Sequence, residues 1–489
     1  MTQGRVVRAT IVSCALAVGC TQTETAGPGD AGRPDDAGGM NGPERFVSRV
    51  VATGFAGPWE VTWGPDGYLW LTERTGKRVM RVRPSDGARA TAFTIAEVHQ
   101  SAPQDGLLGM ALHSRLLTGT GHDHVYVAYT YDADPGPPLD RRTKIRRYTY
   151  DAVSQGFGQP VDLITNLPAS YDHNAGRLIF GPDERLYYTI GEGGNNQFEN
   201  TCLPIRAQDL PTAADVSARD WSKYQGKVLR LDLDGSIPED NPVLSGVRSH
   251  VYSYGHRNPQ GIVFGPDGLL YASEHGPKTD DEVNLIQAGK NYGWPHVVGY
   301  QDDQAYVYGN WSASSPTPCE PLEFSNYDIP GSVPQQKESE WCHPDFAPPI
   351  ATFYTVPSGH EFRDPACAGG SEYICWPTIA PASLDVYAPK EGGIPGWTRA
   401  LLVPSLKQGS VFRARLSEDG RSIVGDPVPL FKTTNRYRDI TVAPDSRTFY
   451  VITDPGGLTG GPTGGSTVEL ENPGAILEFK YTGGDDPAD

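Results

Sequence analysis

The stretch "VTWGPDGYLWLTE" at residues 61–73 decides the fold, because it is not alone in the chain. It reads as an apolar strand, a Pro-Asp turn and a second strand. The same pattern returns as "LIFGPDERLYYTIGE" (178–192), "IVFGPDGLLYASE" (262–274) and "ITVAPDSRTFYVITD" (440–454). A Pro-Asp-Gly type of turn between β-branched and aromatic runs is a hairpin signal. A second pattern, a Gly followed by an alternating apolar/basic strand, lies near the first. It is seen in "GKRVMRVRP" (76–84), "GKVLRLDLDG" (226–235), "GSVFRARL" (409–416) and "GAILEFKY" (474–481). A central hairpin plus an outer strand, repeated along the chain, predicts an all-β propeller of four-stranded antiparallel blades. A β-sandwich also uses many hairpins, but it does not explain one Pro-Asp motif recurring from residue 65 to residue 444. The spacing is irregular, so some blades carry insertions, 296–345 being the clearest.

Composition agrees. With 57 Gly, 43 Pro and 10% aromatic residues among 489, the chain suits short strands joined by turns. The net charge of −18 argues against nucleic acid or an anionic membrane as the main partner. At the N-terminus, Arg5 and Arg8 precede the short apolar run "ATIVSCALAVG", which ends at "AVGC". Residues 1–20 are therefore expected to be an export signal with a lipobox at Cys20, the alternative being an ordinary cleaved signal. Residues 21–44, rich in Gly, Pro, Asp and Ala, are expected to be a tether. The propeller is expected over 45–484, with 485–489 a tail. The protein is thus expected to be exported, periplasmic or lipid-anchored at the cell envelope. Export permits disulfides. Cys367 and Cys375 enclose the short loop "CAGGSEYIC" and are the expected local pair. Cys319–Cys342 is a weaker expectation, leaving Cys202 as the odd thiol.

Polar residues in unusual settings lie in "PQDGLLGMALH" (103–113), "YDHNAGRLIF" (171–180), "SYGHRNPQG" (253–261), "SEHGPKTDDEVNLI" (273–286), "VPSLKQG" (403–409) and "NRYRD" (435–439). Strand alternation turns Arg436 and Arg438 to the same face, where their like charges repel unless an anion joins them. If loops at one end of the ring converge, Lys407, Arg257, Arg436 and Arg438 meet there. Four cations in one pocket call for several carboxylates or phosphates. A phosphate-binding glycine loop is absent, which argues against a nucleotide. Taken singly, each of these residues also fits a solvated strand face or a hydrogen-bonded loop. "TDDEVN" gathers hard oxygen ligands suited to calcium, whereas "DLDGSIPEDNP" (232–242) reads as a plain turn.

Over about residues 47–482 the chain resembles the soluble quinoprotein glucose dehydrogenases, which use pyrroloquinoline quinone (PQQ). The resemblance is carried by "GPWEVTWGPDGYLWLTERTGK", "DGLLGMALH", "GRLIFGPDERLYYTIG", "YGHRNPQG", "GKNYGWPHVVGY", "YICWPTIAP", "LLVPSLK" and "NRYRD" in that order. It implies a six-bladed β-propeller and oxidation of an aldose, such as glucose, to its lactone. Lys407, Arg436, Arg438, Arg257, Asn258 and Thr378 are implied to hold PQQ, with Tyr373 and Trp376 walling cofactor and substrate. His173 is implied as general base, Glu192 as the acid that orients it, Gln104 and Asp172 as sugar contacts, and Arg257 as the group stabilising charge on the quinone. Calcium is implied at the carbonyls of Gly276 and Pro277. A structural calcium pair is implied at Glu282, Tyr292, Val298, Tyr300, Asp302 and Glu338. Further implied partners are an external electron acceptor and, in a homodimer, a second copy.

The chain departs from that family's pattern at Glu192, which stands where an Asp is usual. It departs again at Asp105 and Asn174 beside the sugar site and at His275 before the Gly-Pro turn. These changes touch the substrate side more than the cofactor side. A broader aldose or sorbosone-type dehydrogenase, or a non-catalytic binding propeller, is the alternative reading.

Overall fold

The computed structural model describes residues 45–315, 319, 322, 324–325, 328–363, 372–461 and 465–483. The expected signal, Cys20, the tether before residue 45, and Cys367 lie outside these residues.

Six antiparallel four-stranded sheets follow one another along the chain. Blade 1 is Pro58–Trp63, Leu69–Glu73, Arg78–Val82 and Arg89–Thr94. Blade 2 is Leu107–Leu112, His124–Asp132, Arg141–Asp151 and Gly156–Pro168. Blade 3 is Ala175–Phe180, Leu186–Ile190, Lys227–Leu231 and Val251–Tyr254. Blade 4 is Pro259–Phe264, Leu270–Glu274, Asp281–Ile286 and Ala351–Phe353. Blade 5 is Asp385–Tyr387, Ala400–Pro404, Val411–Arg415 and Val428–Leu430. Blade 6 takes Tyr437–Val442, Thr448–Thr453 and Ile476–Gly483 from the end of the chain and closes on Arg45–Ala52 from its beginning. Phe46 pairs with Tyr481 and Arg49 with Glu478, so the two ends of the domain zip into one sheet.

The Pro-Asp repeats fall between the first and second strands of blades 1, 3, 4 and 6, as the sequence predicts. Each turn is locked by its Asp, whose carboxylate accepts from the backbone N–H two residues on. The acceptors and donors are Asp66 with Tyr68, Asp183 with Arg185, Asp267 with Leu269 and Asp445 with Arg447. The Gly before the Pro has its own reason. A Cβ on Gly64 would lie 2.3 Å from the Trp70 ring, and one on Gly181 would lie 2.5 Å from the Tyr187 ring. The second-strand aromatic needs that space.

At the ring's centre Arg177, on the first strand of blade 3, reaches several blades at once. Its guanidinium pairs with Glu60 of blade 1 at 2.6 Å and Asp439 of blade 6 at 3.0 Å. It also donates to Gln260 O of blade 4 and to Ala382 O, just ahead of blade 5, and lies over the Trp59 ring. Asp439 in turn accepts from Val61 N. Around this hub the blade-to-blade layers are apolar, with Leu178, Tyr188 and Leu229 in one and Leu401, Val403 and Phe412 in another.

One disulfide joins Cys202 to Cys319, which corrects two expectations: Cys319 does not pair with Cys342, and Cys202 is not free. The bond links the insertion between the second and third strands of blade 3 to the insertion within blade 4. These loops are far apart in sequence, and the blade order brings them to one rim. Cys342 and Cys375 are also disulfide-bonded.

Candidate active site

In every blade the chain enters the first strand and leaves the second at the same end, because the two strands are antiparallel. The residues singled out from the sequence lie at those entries and exits. Gln104 precedes the first strand of blade 2, His173 that of blade 3, Asn258 that of blade 4, Thr378 that of blade 5 and Arg436 that of blade 6. Glu192, Gly276, Lys407 and Asp454 follow the second strands of blades 3, 4, 5 and 6. Topology alone therefore gathers them on one face.

His173 sits at φ +44°, a left-handed conformation that costs a non-glycine residue about 1–3 kcal/mol. Its neighbours hold it there. Gly193 N donates to His173 O, and a Cβ on Gly191 would lie 1.9 Å from that same oxygen. His173 Nδ1 is 2.6 Å from Glu192 Oε1. Glu192 is fully buried, and its second oxygen accepts from Asn195 N. The longer side chain found here in place of Asp thus reaches the imidazole directly. Hydrogen-bonded to a carboxylate, Nδ1 carries the proton, which leaves Nε2 with its lone pair. On that side Asp172 Oδ2 stands 3.7 Å away. Asp172 Oδ1 accepts from His173 N and from the Gln104 side-chain amide.

The basic residues also converge. Arg438 makes a two-pronged pair with Asp454 at 2.9 and 2.8 Å, and Arg436 Nε lies 3.5 Å from the same carboxylate. Both arginines do share a face, as strand alternation requires. Burial works to raise the Asp454 carboxyl, but Arg438, then Arg436 and Arg74, outweigh it and hold it below its usual range. Lys407 is buried and donates to Thr378 Oγ1 at 2.6 Å and to the carbonyls of Trp376 and Tyr373. Burial pushes its ammonium down to about 7, with Asp281 opposing. Arg257 lies over Trp294 and donates to His275 O. His275 is pushed down to about 3, first by burial and then by the charges of Arg257 and His173.

Among the expected site residues, four side-chain atoms are buried without a hydrogen-bond partner: Arg257 Nε, Asn258 Nδ2, Gln104 Oε1 and Arg436 Nε, the last keeping only its longer ion-pair contact to Asp454. Buried polar groups are normally paired, so orphans gathered at the entries of neighbouring blades mark a place for a polar ligand. Three donors and two further cations beside them suit a flat, polar, multiply carboxylated molecule. Tyr373 is half exposed, and its carbonyl and that of Trp376 both accept from Lys407.

The residues expected to hold metal fall into two groups. Gly276 and Pro277 form a tight turn beside the cleft, where a Cβ on Gly276 would lie 1.9 Å from Thr279 O. Asp281 stitches that turn to blade 5, accepting from Gly276 N, Ile379 N and Ala380 N. Farther out, Glu282 accepts from Gly299 N, while Glu338 accepts from Val298 N, Asp302 N and Asp303 N. Burial first, and then the charges of Glu282 and Asp280, push the Tyr300 hydroxyl up. The Tyr292 hydroxyl is spent on Leu285 O, so only its backbone carbonyl is left for a cation. Among the described residues no three acidic, His or Cys side chains gather tightly enough to hold a metal unaided. A cation at either place would rely on backbone carbonyls.

Three residues near the site had no role in the sequence reading: Asp454, Arg74 and Arg141. A signal for Asp454 was present. The hairpin repeats close on an acid at Glu73, Glu192, Glu274 and Asp454, each at the cleft end of its second strand.

A propeller with a histidine–carboxylate pair facing a basic, orphan-lined cleft has the layout of an enzyme that takes a hydrogen from a small hydroxylated substrate in contact with an anionic cofactor. The chain belongs to the glucose/sorbosone dehydrogenase family, whose model matches residues 55–322 and 357–459. It is 44% identical over 441 residues to quinoprotein glucose dehydrogenase B of Acinetobacter calcoaceticus, covering 90% of this chain and 91% of that protein. It is 26% identical to the aldose sugar dehydrogenase YliI of Escherichia coli, covering 81% and 87%. Among solved structures, the PQQ-bound aldose sugar dehydrogenase of Streptomyces coelicolor shares the fold with a TM-score of 0.58 at 24% identity, covering 90% of this chain and 99% of that one.

Proposed function

We propose that this chain is a PQQ- and calcium-dependent aldose dehydrogenase that oxidises the C1 hydroxyl of a sugar such as glucose to the lactone and passes the electrons to an external acceptor. The observation that carries this reading is the His173–Glu192 pair set beside the orphaned donors of Arg257, Asn258 and Arg436.

When bound, PQQ supplies an electrophilic quinone that accepts hydride. Lys407, Arg436 and Arg438 would hold its carboxylates, and Arg257 and Asn258 would donate to its quinone oxygens through the orphaned N–H groups. Thr378, Tyr373 and Trp376 frame the same pocket. Calcium at the Gly276 and Pro277 carbonyls would polarise the quinone as a Lewis acid. Calcium among Glu282, Glu338, Asp302 and the carbonyls of Tyr292, Val298 and Tyr300 would neutralise carboxylates that are otherwise held by backbone N–H groups.

His173 acts as the general base. Its Nε2 lone pair takes the proton of the C1 hydroxyl, while Glu192 holds the tautomer and balances the imidazolium that forms. Gln104 and Asp172 position the sugar. Arg257, desolvated in the cleft, stabilises the negative charge that develops as hydride leaves C1.

The test is reconstitution of the apo-protein with PQQ and calcium, followed by assay of a panel of aldoses with a dye acceptor. Saturable turnover that needs both additions is expected. Folded protein that neither binds PQQ nor turns over any aldose overturns the reading.

A further inference from the structure

The short loop 101–106, which carries Gln104, is held far more tightly than a surface loop needs to be. Asp105 is fully buried, and its Oδ1 accepts from Ser101 N at 3.0 Å and Ala102 N at 2.8 Å. Its Oδ2 pairs with Arg141 Nε at 2.9 Å, and the Arg141 Nη2 continues to Ser101 Oγ, also at 2.9 Å. Arg74 grips the other edge, donating to Ala102 O and Asp105 O. Across the cleft, Asn174 Nδ2 donates to Gln104 O.

These bonds have a chemical consequence at the Gln104 side chain. Its NH2 group is committed to Asp172, whose carboxylate can only accept. The amide therefore cannot turn over, and Gln104 Oε1 is left buried and without a hydrogen-bond partner. A buried lone acceptor discriminates strongly, because a ligand that brings no donor leaves it unpaired.

We propose that Arg141 is a positioning residue for sugar binding: by neutralising Asp105 it fixes loop 101–106 so that Gln104 Oε1 stands as a fixed acceptor for one hydroxyl of the aldose. Arg141 opens the third strand of blade 2, outward of the cleft residues and without contact to the Lys407–Arg436–Arg438 group. The loop meets that group only through Arg74, so the larger effect is expected on the sugar and the smaller on the cofactor. The inference rests on the reading of Gln104 as a sugar contact, and its test separates the two.

Steady-state kinetics of PQQ-loaded enzyme should be compared for Arg141→Gln, Asp105→Asn, the double variant and Gln104→Ala, with PQQ titrations and melting temperatures alongside. Arg141→Gln is expected to raise KM for the sugar about tenfold while kcat and PQQ affinity stay within about twofold, the size of one lost charge-assisted hydrogen bond. The double variant should be no worse than the poorer single one, because the two residues act as a unit. A series of monodeoxy aldoses should show one position whose penalty is large in the wild type and small in Arg141→Gln. Unchanged KM in Arg141→Gln, or an equal fall in kcat, overturns the proposal when Gln104→Ala does raise KM. Unchanged KM in Gln104→Ala sinks the sugar-site reading itself. If the Gln variant does not fold, Arg141→Lys decides the matter. It keeps the charge but not the two-pronged reach, and an intermediate KM is expected.

Discussion

Glu192 Oε1 lies 2.6 Å from His173 Nδ1, and the rest of that carboxylate is anchored to Asn195 N. The contact makes the extra methylene of Glu192 functional. Its backbone N–H is pinned to Arg257 O, so the side chain needs its full length to meet the imidazole.

Glu192→Gln is expected to lower kcat by about 10–100-fold, and His173→Gln by about 10²–10⁴-fold, with PQQ affinity retained in both. Glu192→Asp keeps the charge but loses reach, and should fall between Gln and wild type. Near-wild-type turnover in His173→Gln would refute the mechanism even with PQQ bound.

Arg436→Ala and Arg438→Ala should each weaken PQQ binding by about tenfold or more, the value of a charge-assisted hydrogen bond. Asp454→Asn should behave differently. It leaves two neighbouring guanidiniums without their counter-charge, so the cofactor-free protein should melt at a lower temperature while PQQ, bringing carboxylates of its own, restores more stability than in the wild type. Fluorescence titration and thermal melts with and without PQQ measure both effects. Equal affinities in all three variants would make "NRYRD" an ordinary solvated strand face.

Lys407 gives a pH dependence with a definite sign. Burial holds its ammonium at about 7 in the ligand-free protein, below its ordinary value of 10.5. A carboxylate arriving beside it favours the charged form, so PQQ binding takes up a proton above pH 7. Affinity should therefore decline as pH rises from about 7 to 9, by at most about tenfold per unit, and Lys407→Met should flatten that decline. For the empty fold the sign is opposite. The unfolded chain binds the extra proton, so this residue's penalty on stability shrinks as pH rises between 7 and 10.5. A PQQ affinity that is flat across this range in the wild type would show that Lys407 does not meet the cofactor's charge.

Much of this was legible in the sequence because the fold repeats a local rule. The Pro-Asp turns of blades 1, 3, 4 and 6 need Asp for the turn N–H, those of blades 1, 3 and 4 also need Gly for the facing aromatic, and both needs leave letters behind. Blades 2 and 5 were hidden, since their first two strands are joined by the longer connections 113–123 and 388–399 with no such turn. Site residues at strand entries and exits were found where their chemistry is unusual for a strand end, as in "NRYRD" and "YDHNAG". Asp454, Arg74 and Arg141 were missed because each looks like a surface charge until the ring places it against a loop from another strand or blade. The disulfide was misread for the same reason. Cys202 and Cys319 are separated by 117 residues, and only the blade order brings their two insertions together.

Arg177 tests whether the ring itself depends on its central charge. The residue is buried and serves two buried carboxylates, Glu60 and Asp439. Burial pushes Glu60 up to about 8, against the opposing pull of Arg177, and Asp439 adds to the rise. Arg177→Met fills a similar volume but strands both acids, along with the carbonyls of Gln260 and Ala382. Breaking one side of a buried ion pair costs about 3–5 kcal/mol, so the variant should unfold at markedly lower denaturant than wild type. Adding Glu60→Gln and Asp439→Asn to Arg177→Met removes the uncompensated charges and should recover part of the loss. The recovery should grow as pH rises, because without Arg177 the fold holds the Glu60 carboxyl still farther above its ordinary range, whereas the unfolded chain ionises it freely. Urea midpoints at pH 6 and pH 9 for the single and triple variants provide the measurement. Equal stability of Arg177→Met and wild type at both pH values would mean that the blades close the ring without the hub.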